Sequence, residues 1–121
     1  TERLRIIGDW MQTNGESIVG TVPGLEPWQC YAPSTRRDND VYVHLLLRPY
    51  DDVTVRGVHI NRLRSVTALA TGAELSFRTR RPIADTMFNT PDPIGEAIIR
   101  VPAEAIDEYA TVLKLHFADA P

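Results

Sequence analysis

The sequence predicts a mainly β chain: an antiparallel β-sandwich of about seven or eight strands preceded by one N-terminal α-helix. Three observations predict it. Apolar residues at Leu4, Ile7 and Met11, widened by Ile6 and Trp10, recur at helical spacing in the first fifteen residues. From Val41 onward, short runs rich in β-branched and aromatic residues take over. Gly, Pro, Asn and Asp punctuate those runs at short intervals, as in an all-β fold.

The elements follow in order. Thr1 is the expected N-cap of the helix, with acidic Glu2 in its first turn. Asn14-Gly15 is the expected stop, because Gly takes the left-handed position after a helix without steric cost. Residues 23–40 hold three prolines, a glycine and the pair Arg36-Arg37, and read as a joint between helix and sandwich. Val41 to Arg48 reads as a strand ended by Pro49. Val41, Val43, Leu45 and Leu47 form its inward set, and Tyr42, His44, Leu46 and Arg48 the other face. Asp51-Asp52 is a turn, and Val53 to Arg56 a short strand stopped by Gly57. Ser65 to Ala70 and Glu74 to Thr79 are two strands joined across Thr71-Gly72-Ala73. Leu75 and Phe77 alternate there with Glu74, Ser76 and Arg78, a half-buried pattern. Arg80 to Pro93 is irregular. Ala97 to Val101 is a strand, and Thr111 to Phe117 another, with Leu113, Leu115 and Phe117 on one face.

Length and composition narrow the functional classes. At 121 residues the chain is the size of one domain, short of the roughly 200 residues of a (β/α)₈ barrel enzyme. Hydrophobic residues at 43% and charged residues at 24% mark a globular protein. No apolar run approaches the ~20 residues of a membrane span. A net charge of -3 gives no electrostatic footprint for nucleic acid. The single cysteine, Cys30, excludes an intrachain disulfide and reads as a small buried hydrophobe. His44, His59 and His116 have no metal-ligand spacing, so no metal or cofactor is expected. Ser34 and Ser65 lack the G-x-S-x-G frame of a hydrolase elbow. Gly20 to Gly24 is no phosphate loop, since Pro23 removes a donor and no Lys follows. Arg62-Leu63-Arg64 and Arg78-Thr79-Arg80-Arg81 read as solvated faces or partners of the 16 carboxylates. The chain starts at Thr1 without an initiator methionine, which suggests a piece of something longer; compartment is left open.

The most specific segment is Ile7-Gly8-Asp9-Trp10-Met11-Gln12-Thr13-Asn14-Gly15-Glu16-Ser17-Ile18-Val19-Gly20-Thr21. It resembles the end of the catalytic barrel in α-L-fucosidases of glycoside hydrolase family 29. A helix there ends in a pattern close to I-G-x-W-L-x-x-N-G-E-A-I-Y-G-T, and the chain then enters a C-terminal β-sandwich. Met11 and Ser17 are mild substitutions. Val19, where the family has Tyr, is a departure that removes a ring and a hydroxyl at the junction. Val41 to Pro49 looks like the family's first long sandwich strand, and Val112 to Phe117 like its closing strand.

The resemblance implies two parts. Residues 1–22 would be the terminal helix and exit segment of a (β/α)₈ barrel that this chain lacks. Residues 23–121 would be the C-terminal sandwich. Leu4, Ile7, Trp10, Met11, Asn14, Gly15, Glu16 and Val19 would then face the barrel or form the junction. The family hydrolyses α-L-fucosides with retention, by an Asp nucleophile and an acid that lie in the barrel. No catalytic residue carries over, so the chain alone is expected to be inactive. Its expected partner is the barrel of the parent chain, and the apolar helix stripe invites self-association.

Two groups invite a sharper reading. Glu16 is a carboxylate in the most specific motif, but Asp9 is its only near neighbour in sequence. Retaining chemistry needs two carboxyl groups about 5–5.5 Å apart. Glu16 is therefore expected to bond backbone donors or an arginine near the helix end. Among the aromatic residues, Trp10 and Tyr42 read as core. Trp28 and Tyr31 lie in the Pro-rich segment and are the candidates for stacking on a sugar, the fucosylated carbohydrate that an independent binding module would recognise.

Overall fold

A computed structural model of the chain describes residues 2–30, 32–45, 52–81, 92–102 and 111–121. One helix, α1 (Glu2–Asn14), is followed by a 3₁₀ turn (Gly15–Ser17) and nine strands. These are β1 (Val22–Pro23), β2 (Ser34–Arg37), β3 (Asp40–Leu45), β4 (Asp52–His59), β5 (Leu63–Ala68), β6 (Ala73–Glu74), β7 (Phe77–Arg80), β8 (Ile94–Arg100) and β9 (Thr111–Phe117). They form a six-stranded sheet in the order β1-β2-β3-β9-β5-β6 and a three-stranded sheet in the order β4-β8-β7. Every pairing is antiparallel. The predicted architecture, one helix before an antiparallel sandwich, is the one observed. Thr1, Tyr31, the expected strand residues 46–48 and most of the irregular stretch 80–93 lie outside the described residues.

The core sits between the two sheets, and the period of two in the sequence builds it. β3 turns Val41, Val43 and Leu45 inward, and β9 turns Leu113, Leu115 and Phe117. Opposite them lie Val53, Val55 and Val58 of β4 and Ala97 and Ile99 of β8. Fully burying each aliphatic side chain of this kind stabilises the fold by about 1.5–3 kcal/mol. Cys30 belongs to this cluster, as expected.

Several boundaries move for physical reasons. β4 does not stop at Gly57 but runs to His59, with a bulge between Val55 and Val58. Gly57 has φ +66°, so it absorbs the extra residue of the bulge at no Cβ cost. The expected strand from Glu74 to Thr79 is two strands: β6 pairs with β5, and β7 pairs with β8 in the other sheet. The chain crosses between layers at Leu75-Ser76, where Leu75 is buried in the core. Gly15 is not left-handed; the helix tightens into the 3₁₀ turn, and the left-handed glycine comes at Gly20, φ +73°. The Pro-rich joint itself contains strand: Val22 and Pro23 pair with Arg36 and Thr35 at the edge of the larger sheet. Proline is tolerated there because an edge strand has no second neighbour to bond.

Candidate functional site at the helix–sheet joint

The larger sheet carries Tyr42 and His44 of β3 and Lys114 and His116 of β9 on its outer side. His44 lies on the outward face, as the alternation predicts, yet both it and Tyr42 are buried there. The 3₁₀ turn after α1 is tied down over this side. Thr35 Oγ1 donates to the Ser17 carbonyl. Arg37 donates to the carbonyls of Glu16, at 2.8 Å, and of Val19. Ser17 Oγ donates to the Asn14 carbonyl at 2.6 Å. Asn14, wholly buried, donates through Nδ2 to Thr13 Oγ1 at 2.8 Å and to the Trp10 carbonyl at 3.3 Å.

Glu16 is the electrostatic centre of the joint. Its Oε2 accepts from Tyr42 Oη at 2.8 Å and from Lys114 Nζ at 3.0 Å. The Tyr42 hydroxyl, followed by Lys114 and Arg37, holds the carboxyl below its ordinary range against the opposing effect of burial. Burial and the Glu16 carboxylate in turn push the Tyr42 phenol well above its ordinary value. Lys114 also approaches Asp40 at 4.0 Å and lies 5.9 Å from the centre of the Tyr42 ring, within cation–π range. His116 Nδ1 meets Asp40 Oδ1 at 2.6 Å. The expectation for Glu16 is thus corrected in its partners: a tyrosine and a lysine hold the carboxylate, and the arginine takes the backbone.

This arrangement stabilises a negative charge; it does not make a proton donor. Structure brings Asp40 near Glu16, with Lys114 between them. An acid/base pair for glycoside hydrolysis needs one carboxyl raised so that it stays protonated, and Glu16 is shifted the other way. His44 is used structurally as well. Thr35 Oγ1 spends its only proton on Ser17, so it accepts from His44 Nε2 at 3.1 Å. That bond places the imidazole proton on Nε2, and burial lowers the pKa of the ring. Among the described residues no group of three or more His, Cys, Asp or Glu side chains is arranged to hold a metal ion.

The other candidates are dispersed. On α1, Leu4 is 68% and Ile7 59% exposed, while Trp10 and Met11 are half-buried. Ile18, Val19 and Val22 continue the exposed apolar run past the turn. Val19 joins through its backbone, its N–H donating to the Gly15 carbonyl at 2.9 Å and its carbonyl accepting from Arg37, so the missing tyrosine leaves the Arg37 anchor intact. Trp28 is 65% exposed and lies across Gly57, where any Cβ would run into its ring. Gln29 braces that contact, donating through Nε2 to the carbonyls of Arg56 and Gly57 at 3.1 Å each. The basic clusters meet carboxylates as expected: Arg62 with Asp92, Arg78 with Asp52, and Arg80 with Glu96. Sequence reasoning singled out Glu16 but missed Tyr42 and Lys114 as its partners; Lys114 lies 98 residues away, and no local pattern signals that pairing.

No family model and no curated protein matches the chain. Solved structures do. α-L-Fucosidase isoenzyme 1 from Paenibacillus thiaminolyticus matches 94% of this chain with 25% of its own length, at 27% identity and a TM-score of 0.66. The Thermotoga maritima α-fucosidase, solved with a mechanism-based inhibitor, matches 95% of this chain with 26% of its own, at 24% identity and a TM-score of 0.62. A bacterial fucosidase solved with a pyrrolidine inhibitor matches 94% with 23%, at 20% identity and a TM-score of 0.63. At the two lower identities the likeness is one of fold. The chain spans about a quarter of the length of these enzymes. It therefore has the fold of a domain of α-L-fucosidases, in agreement with the resemblance carried by residues 7–21 and consistent with their C-terminal domain.

Proposed function

We propose that the chain is the non-catalytic C-terminal domain of an α-L-fucosidase, and that it braces a catalytic (β/α)₈ barrel. Residues 1–22 are the terminal helix and exit segment, and residues 23–121 the supporting sandwich. The parent hydrolyses α-L-fucosides with retention; this chain by itself does not. One observation carries the reading. A thirteen-residue helix is marginal in water without a packed face, yet α1 exposes Leu4 and Ile7 while its far end is fixed to the sheet through Ser17, Glu16 and Arg37. A helix held at one end with its apolar stripe uncovered is built to receive a second body. The test is sedimentation velocity on the isolated chain, with an aryl α-L-fucoside assay beside it. Concentration-dependent self-association, relieved by Leu4→Ser with Ile7→Ser, is the expected result, with no turnover. A monomer at all concentrations that binds no hydrophobic dye would count against an uncovered stripe.

A second reading is an independent carbohydrate-binding module for fucosylated glycans. The exposed Trp28, held against Gly57, supports it, because rigid aromatic faces stack on sugar rings. An amide-resolved titration with L-fucose and a fucosylated oligosaccharide separates the two. Saturable shifts around residues 28–30 that vanish in Trp28→Ala favour the module; a silent titration leaves the supporting role.

A further inference from the structure

The outer face of the three-stranded sheet has a different chemistry from the joint. β4 contributes Asp52, Thr54 and Arg56 to it, β8 contributes Glu96, Ile98 and Arg100, and β7 contributes Arg78 and Arg80. Four guanidinium groups thus face two carboxylates, on a chain whose net charge is -3. Glu96 is fully engaged, with Arg80 at 2.5 Å and Arg56 at 3.3 Å. Asp52 is not. Arg78 approaches it only to 3.7 Å, and Arg100 is its cross-strand neighbour. Beside this loose pair lies an open cleft of about 260 Å³, lined by Asp52, Ser76, Phe77, Arg78, Ile98 and Arg100. The chain's crossing between layers shapes one wall, where Arg100 N donates to the Ser76 carbonyl at 3.0 Å.

We propose that this cleft binds a small molecule of monosaccharide size bearing one oxyanion, a carboxylate or sulfate, between Arg78 and Arg100. Planar guanidinium forks match such groups through paired hydrogen bonds. Ile98, between Arg78 and the β4 edge, supplies an apolar floor for the body of the ligand, with Phe77 closing the rim from the core side. Asp52 accepts from a hydroxyl and repels a second anionic group, which selects against multiply charged ligands. The volume lies just under the roughly 300 Å³ at which small-molecule sites begin, the scale of a single sugar ring. The cleft lies on the opposite side of the sandwich from the helix joint, and the inference stands apart from the docking reading.

The test is an amide-resolved NMR titration of the full chain with glucuronate, inorganic sulfate and neutral L-fucose. Glucuronate is expected to give saturable shifts clustered at residues 76–78 and 98–100, with L-fucose silent there. Arg78→Gln with Arg100→Gln weakens glucuronate binding at least tenfold. Arg56→Gln with Arg80→Gln removes the same charge from the same face outside the cleft, and leaves binding unchanged. All four arginines are exposed, so both double variants keep the fold. No saturable response to either anion overturns the proposal, and so does an equal response to L-fucose or an equal loss in both double variants. Sulfate matching glucuronate in affinity overturns the part played by Ile98.

Discussion

The two outer faces of the sandwich are built from the same pleated alternation and end in opposite states. On the larger sheet, Tyr42 and His44 are buried, because the turn at residues 15–17 is bonded over them through Thr35, Arg37 and Glu16. On the smaller sheet, the equivalent positions carry arginines and carboxylates that remain in water. The difference teaches that burial of a strand face is decided by what the chain lays over it. An outward polar residue such as His44 becomes interior once the turn at residues 15–17 docks over it.

That contrast can be broken most directly at Tyr42. Tyr42→Ala removes a buried ring together with the donor to Glu16, and is expected to cost about 3–5 kcal/mol. Thr54→Ala on the other face should stay within about 0.5 kcal/mol. Urea unfolding of both proteins measures the pair, and a loss below about 1 kcal/mol at Tyr42 would show that its face is not closed.

Acid sharpens the contrast at intermediate cost. The pKa of His44 is lowered from 6.5 by burial, so the unfolded chain takes up a proton there before the folded chain does. Its contribution to stability is present above pH 6.5 and falls as pH drops through that value toward the folded pKa. Glu16 is lowered from 4.5, so its contribution is present above pH 4.5 and is lost as pH falls further. Denaturation at a series of pH values should therefore show a decline beginning near pH 6.5 that His44→Gln flattens. An unchanged slope in that variant would remove His44 from the closed face.

The smallest effect belongs to the open face. Glu96→Gln deprives Arg56 and Arg80 of their shared carboxylate, yet exposed ion pairs contribute only about 0–1 kcal/mol. The shift in unfolding midpoint should be correspondingly slight and should shrink further in salt.

Much of the fold is legible in the sequence, for identifiable reasons. Helical spacing from Leu4 to Met11 and strict alternation from Leu113 to Phe117 are local signals, and α1 and β9 follow them. The failures share a cause. Gly57 reads as a stop because a left-handed glycine ends a strand as readily as it makes a bulge; only pairing with β8 distinguishes them. Glu74 to Thr79 reads as one strand because the change of sheet at Leu75-Ser76 preserves the alternation. At the joint, Glu16 stands out through its motif, but Tyr42, Lys114 and the burial of His44 arise from contacts between distant segments. The loose Asp52–Arg78 pair beside its cleft likewise needs three strands to be visible.

The place of β9 has a consequence for how the chain is made. It is the last of the nine strands in sequence, yet it occupies the middle of the larger sheet, bonded to β3 on one side and β5 on the other. As the polypeptide leaves the ribosome, β3 and β5 must wait with exposed edges until residues 111–117 have emerged. Synthesis at about 5–20 residues per second makes that interval several seconds long. During it the nascent chain is a substrate for chaperones and a hazard for aggregation. The final strand then inserts between its neighbours and closes both halves of the sheet in one step.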